Sequence, residues 1–235
     1  MEADLAVAEA QVSSLETELA GSKAEVLTME ADLAVAEAQV EAFDAEVSAL
    51  ETTLAAAVFP VTFPDANLEA AIREAIDKSA DTIFRSDLES LAQFGAVGRG
   101  ISDLTGLEYC LNLQVLILHH NNISDIPALA GLSNLKHINL GENSTSNVSP
   151  LAGLSNLEWL NLKNNNISDI SPLAGLTNLE GLYLENNNIS DVSALVDNAG
   201  LADGDTVALD DNPLSAESIN IYIPQLEARG VDVHY

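Results

Sequence analysis

A chain of 235 residues has room for one or two ordinary domains, or for one elongated repeat body with an appendage. Charged residues make up only 19%, yet 37 acids against 8 Lys and Arg leave a formal charge of −29. That balance excludes nucleic acid as a partner and disfavours anionic membrane surfaces, since both need a basic footprint. The single cysteine excludes an intramolecular disulfide framework and a cysteine-clustered zinc site. No apolar run approaches the roughly 20 residues that span a bilayer, so no membrane insertion is expected. The opening MEADLAVAEAQV has neither a basic start nor an apolar core; it does not read as a secretory signal, and the chain is expected to be soluble.

Residues 1–57 predict a helical stalk. Apolar residues recur every seven positions, at Leu5, Val12, Leu19, Val26, Leu33, Val40, Val47 and Leu54. A second series lies three residues on: Met1, Ala8, Leu15, Ser22, Met29, Ala36, Phe43, Leu50 and Ala57. Together they form the a/d seam of a left-handed coiled coil. Residues 1–12 return letter for letter at 29–40, an offset of four whole heptads that keeps the seam in register. A continuous helix of this length reaches about 85 Å. The flanks oppose simple self-pairing. Acids fill the e positions (Glu9, Glu16, Glu30, Glu37, Asp44, Glu51) and the g positions (Asp4, Glu18, Glu25, Asp32, Glu46), and Lys23 is the only base before residue 58. Three readings follow: a weak homo-oligomeric stalk, a stalk pairing with a basic helix, or one stabilised by low pH or high cation concentration. The plainer alternatives are a fraying single helix and a hairpin folding at Gly21-Ser22. Self-association of the stalk is the expectation, because long seams of this kind usually pair.

Pro60 and Pro64 end the seam, and DANLEAAIREAI predicts a capping helix with Asp65 as N-cap and Leu68, Ile72 and Ile76 inward. A short helix around 86–92 leads into an array with a period of 22. The string L-x-x-L-x-L-x-x-N-x-I starts at Leu113, Leu135, Leu157 and Leu179, with a degenerate unit at Leu91 and a looser one at Val207. AESINIYIPQLEARG then predicts a helix interrupted at Pro224, followed by a short strand over 231–234.

These motifs resemble the bacterial, internalin-like class of 22-residue leucine-rich repeats, over about residues 60–235 including both caps. The fold class expected is α/β: a solenoid with short parallel strands on its concave face and a helical N-cap, preceded by a long coiled coil. The divisions are a coiled-coil stalk over 1–57, the N-terminal cap over 58–90, repeats over 91–214 and a C-terminal cap over 215–235. The resemblance implies recognition of partners, usually proteins, on the concave sheet, and a bacterial surface or exported location.

Independently of the resemblance, each L-x-x-L-x-L puts leucines on one face of a short strand, and only stacked turns bury them continuously. Asn121, Asn143, Asn165 and Asn187 stand where the chain leaves the strand, placed to satisfy open backbone groups of the neighbouring turn. Asp103, Asp125, Asp169 and Asp191, with Asn147 in the same series, look like a calcium ladder but read as turn-closing residues. Cys110 takes a position filled by leucine elsewhere, so it is an inert core thiol. The Asn-Ile-Ser triplets at 122, 166 and 188 match a glycosylation sequon, but the repeat generates them. Thr145 replaces a core isoleucine at some cost in stability.

Positions between the leucines point out of the sheet. They carry the only Trp, one of four Tyr and three of four His. Trp and Tyr are typical interface anchors. The candidate ligand-binding residues are His119, His137, Asn139, Trp159, Asn161, Lys163, Tyr183 and Glu185; Val115, Ile117, His137 and Trp159 form an apolar patch, and Glu185, Asp210 and Asp211 an acidic end. His119 and His120 face different ways and His137 is too far along for shared zinc coordination, so no metal, cofactor or catalytic residue is assigned. The expected function is non-enzymatic recognition of a protein, preferably basic, with copies joined through residues 1–57. The rival readings are a structural spacer or surface-coat element whose coiled coil is the active part, and a regulatory subunit docking onto an enzyme.

Overall fold

The computed structural model describes residues 2–235, with the side chains of residues 11–13, 15–54 and 58–235. The seam positions Met1, Leu5, Ala8 and Ala57 and the flanking Asp4 and Glu9 lie outside the described side chains. The chain divides into two compact units, residues 1–56 and 57–235.

The first unit is one helix, α1 (Glu2–Ala57). It runs unbroken through Gly21-Ser22, so the hairpin alternative does not form. Its Ala, Glu and Leu content favours helix at nearly every position, and threonine hydroxyls such as those of Thr17 and Thr28 donate back to carbonyls one turn earlier. Every large apolar side chain described on α1 is exposed. Among the described residues no helix is long and apolar enough to cross a membrane.

The second unit opens with a cap. In α2 (Ala66–Ala75), Leu68, Ala71 and Ile72 face the core. Asp65 does more than cap this helix. One carboxylate oxygen accepts from the amides of Asn67 and Leu68; the other accepts from the amides of Ser102 and Asp103 and the Ser102 hydroxyl. It thereby staples the cap onto the first repeat. Burial alone would raise its pKa; the hydrogen bonds outweigh that and hold it down at about 2. The short helix α3 is Arg85–Leu88, shorter than the stretch expected around 86–92. The Arg85 guanidinium lies between the rings of Phe59 and Tyr109, at 4.6 and 4.3 Å from their centroids.

Seven strands of three residues follow: β1 (Gln93–Gly95), β2 (Val115–Ile117), β3 (His137–Asn139), β4 (Trp159–Asn161), β5 (Gly181–Tyr183), β6 (Thr206–Ala208) and β7 (Asp232–His234). They form one parallel sheet in sequence order. Leu116, Ile138, Leu160, Leu182 and Val207 pair in register and are fully buried, so the leucine row is the inner rib of a continuous core. Between strands the chain returns through single 3₁₀ turns such as Ser149–Leu151 and Ser171–Leu173, and through α4 (Ser193–Asp197) late in the array. The C-terminal cap is a π-helical turn, Ser218–Tyr222, continuous with α5 (Ile223–Glu227). The expected interruption at Pro224 does not occur: the helical stretch runs through it, with the wider π-helical turn directly before α5.

Polar side chains tie the turns together. Asn165 is buried; its amide group donates to the carbonyls of Leu140 and Leu162, and its oxygen accepts from the Thr145 amide at 2.9 Å. Asn121, Asn143, Asn187 and Asn212 repeat the arrangement. A second ladder, not singled out from the sequence, consists of Asn112, Asn134, Asn156 and Asn178, each donating to a carbonyl of the preceding turn. Asp103, Asn147, Asp169 and Asp191 accept from the amide two residues on, closing their turns as expected. Asp125 departs from the series, because Pro127 has no amide to offer; it accepts from the Ser124 hydroxyl instead. Thr145 is fully buried, and its hydroxyl donates to the Ile123 carbonyl, which offsets much of the expected cost. Cys110 is fully buried, and burial pushes its thiol up to about 12.

Candidate functional site

The in-register sheet turns single residues into rows. Val115, His137, Trp159, Gly181 and Thr206 are successive partners in one row, and Ile117, Asn139, Asn161, Tyr183 and Ala208 in the next. Adjacent rungs are about 4.8 Å apart, so neighbours within a row touch when their side chains are large.

The aromatic centre is built by a small residue. The Trp159 and Tyr183 rings meet at 5.2 Å between centroids with a 47° tilt. Gly181 stands between them: a Cβ there would lie 2.8 Å from Trp159 Cδ1 and 3.2 Å from Tyr183 Cε2. Gly181 therefore provides the space in which the indole lies against the tyrosine. On the other side of the indole is a trough of about 320 Å³ lined by Val115, Leu116, Ile117, His137, Asn139 and Trp159. Its walls are mainly aliphatic and aromatic, with Ile117 exposed and Val115 half-buried.

Of the eight candidate residues, His137, Asn139 and Trp159 share this trough, and Tyr183 backs it. Asn161 differs from the expectation: it is buried, and its side-chain oxygen accepts from the Lys163 amide at 3.0 Å. Asn139 likewise accepts from the Gly141 amide, while remaining half-buried. His119, Lys163 and Glu185 follow the strands and are half-buried. Two polar atoms here are shielded from water and lack a hydrogen-bond partner: His119 Nδ1 and Glu185 Oε2.

The next position along carries the backbone turn. His120, Glu142, Asn164, Asn186 and Asp211 all have φ between 52° and 59°. Asn and Asp tolerate this left-handed conformation, whereas His and Glu adopt it at a cost. The two costlier residues pair with each other, His120 Nδ1 to Glu142 Oε2 at 2.6 Å, as the cross-rung register suggests. Asn186 donates to Asn164 in the same way. Gly181 is the residue that sequence reasoning passed over. It is visible as the smallest member of its row, but nothing in a linear pattern says that the neighbouring indole leans over it. Among the described residues no group of three His, Cys, Asp or Glu side chains is placed to hold a metal ion.

Stacked parallel rungs, an inner leucine rib and cross-turn asparagines define a leucine-rich repeat solenoid. Residues 111–153 and 155–197 each match the family Leucine Rich repeats (2 copies). Among solved structures, an internalin (inlF) from Listeria monocytogenes is similar with a TM-score of 0.56 at 26% identity, covering 75% of this chain and 58% of that one. An internalin C2 (inlC2) from the same organism has a TM-score of 0.43 at 29% identity, covering 76% of this chain and 96% of that one. The chain thus spans little more than half of the inlF chain it matches. No curated protein matches. The repeats of this chain are leucine-rich repeats, and their fold is similar to that of internalins.

Proposed function

We propose that this chain is a non-enzymatic recognition protein that binds a protein partner on the outward face of its sheet. The observation that carries the reading is the trough beside Trp159, braced by Tyr183 and Gly181. Rigid aromatics in a desolvated hollow are what interface hot spots are made of. The partner inserts an apolar side chain into the trough and offers a basic group toward Glu185, Asp210 and Asp211, consistent with a charge of −29. Residues 1–57 assemble the molecule with other chains, so that weak contacts add by avidity. The internalin-like resemblance supports a setting at, or outside, a bacterial surface.

The test is a photo-crosslinking residue introduced at position 117 to trap and identify the partner, followed by binding measurements on Trp159→Ala and Tyr183→Ala. Each substitution is expected to weaken binding at least about thirtyfold, the scale of a hot-spot residue. Unchanged capture by both variants would transfer the function to α1 and leave the repeats as a spacer.

A further inference from the structure

The described side chains of α1 present an apolar seam that nothing among the described residues covers. Leu15, Leu19, Met29, Leu33, Phe43 and Leu50 are each between 56% and 67% exposed. The seam is narrow, one a/d stripe bordered on both sides by carboxylates, which suits a second helix better than a bilayer. Among the described residues no carboxylate of α1 is engaged in an ion pair.

The borders decide what covers it. In a parallel pair of identical helices, each g residue meets the e residue of the next heptad on the other strand. Glu25 would then meet Glu30 of the second copy, Asp32 would meet Glu37, and Glu46 would meet Glu51; only Glu18 would find a base, Lys23. Turning one strand around sets e against e and g against g, which again opposes acid to acid. A strand with Lys or Arg at e and g converts every one of these repulsions into an attraction while burying the same leucines.

We propose that α1 is one strand of a heteromeric coiled coil whose other strand is a basic heptad helix of a different polypeptide. This rests on the reading of residues 1–57 as an assembly helix and names the chemistry of its partner. Self-pairing at neutral pH is the state that the acidic borders select against.

The full chain, at neutral pH and low salt, is titrated with three probes. One is a synthetic heptad helix of α1's length with Leu and Ile at a and d and Lys at e and g. The second is the same helix with Glu at e and g, and the third is phosphatidylcholine vesicles. The Lys helix is expected to bind one to one, at least about a hundredfold more tightly than the Glu helix, and to weaken at least about tenfold in near-molar NaCl. The paired substitutions Leu19→Asp and Leu33→Asp are expected to abolish the complex while leaving thermal unfolding of the repeats unchanged. Charge reversal of Glu25, Glu30, Asp32 and Glu37 to Lys is expected to weaken binding of the Lys helix. Equal binding of the two helices, preference for vesicles, or a stable oligomer of the chain alone at neutral pH would overturn the proposal while leaving the seam as an attachment surface. A chain that binds neither helix and stays monomeric from neutral to acid pH would overturn the assembly reading itself.

Discussion

Asn165 shows how much one amide carries in this fold. It satisfies the Thr145 amide of one turn and the carbonyls of Leu140 and Leu162 in two, all out of reach of water. Asn165→Ala leaves the Thr145 amide without its partner, while the Leu140 and Leu162 carbonyls keep the amide groups of Asn143 and Asn187; it is expected to cost about 2 kcal/mol in urea unfolding, above the range of an ordinary surface hydrogen bond. Asp65 acts at the junction of cap and repeats, and its effect depends on pH. Its folded pKa of about 2 lies below the ordinary 3.8, so its contribution is fully present above that ordinary value and is lost as pH falls toward 2. Asp65→Asn is expected to lower stability by about 2 kcal/mol at neutral pH and by almost nothing near pH 2, measured as urea midpoints across that range. The asparagine roles were legible from spacing alone, because four copies at one offset fix a geometric position. The Asp65 staple was only half legible: its capping of α2 follows from sequence, whereas its second oxygen bridges to Ser102, a contact 37 residues away.

At the scale of the element, the rungs with their inner leucines were readable in advance, since periodic spacing is itself the structural signal. Exceptions to the period were harder to read. Thr145 looked like a loss of core, yet its hydroxyl bonds the Ile123 carbonyl, which already receives the Ser144 amide. The carbonyl is therefore satisfied without the hydroxyl, and Thr145→Val is expected to stabilise by about 1 kcal/mol by removing a buried polar group of the same shape. A fall in the urea midpoint would show that the hydroxyl does more than fill its place. Of the candidate face, the rows were legible and the depth was not. Asn161 belongs to the displayed row but is buried, whereas Asn139 beside it makes the same bond to the amide two residues on and stays half-buried. Gly181, absent from the candidates, shapes the site by what it lacks. Gly181→Ala is expected to move the indole and weaken partner binding at least about tenfold, with a near-wild-type melting temperature.

For the whole molecule, charge and apolar surface pull against each other on α1. Carboxylates in general take up protons around pH 4, and the repulsion along both borders of the seam fades there. Sedimentation of the full chain from neutral pH down to about pH 4 is expected to show mass increasing as the acids are neutralised, provided the repeats remain folded by circular dichroism. Constant mass would show that thin layers at Ser22 and Ala36, not charge, keep the copies apart. Composition alone foretold this tension. Which strand resolves it depends on residues outside this chain.

The cross-turn asparagines also give the repeat body a direction in time. Each one reaches back to complete the coil before it: Asn143 serves Ile123, Asn165 serves Thr145, Asn187 serves Ile167 and Asn212 serves Ile189. A ribosome delivers the chain in that same order, so a newly made coil keeps an open backbone amide until the following one emerges. Maturation of the body trails its synthesis by one coil at every stage, and the trough beside the indole is finished only after Tyr183 and the coil behind it have arrived.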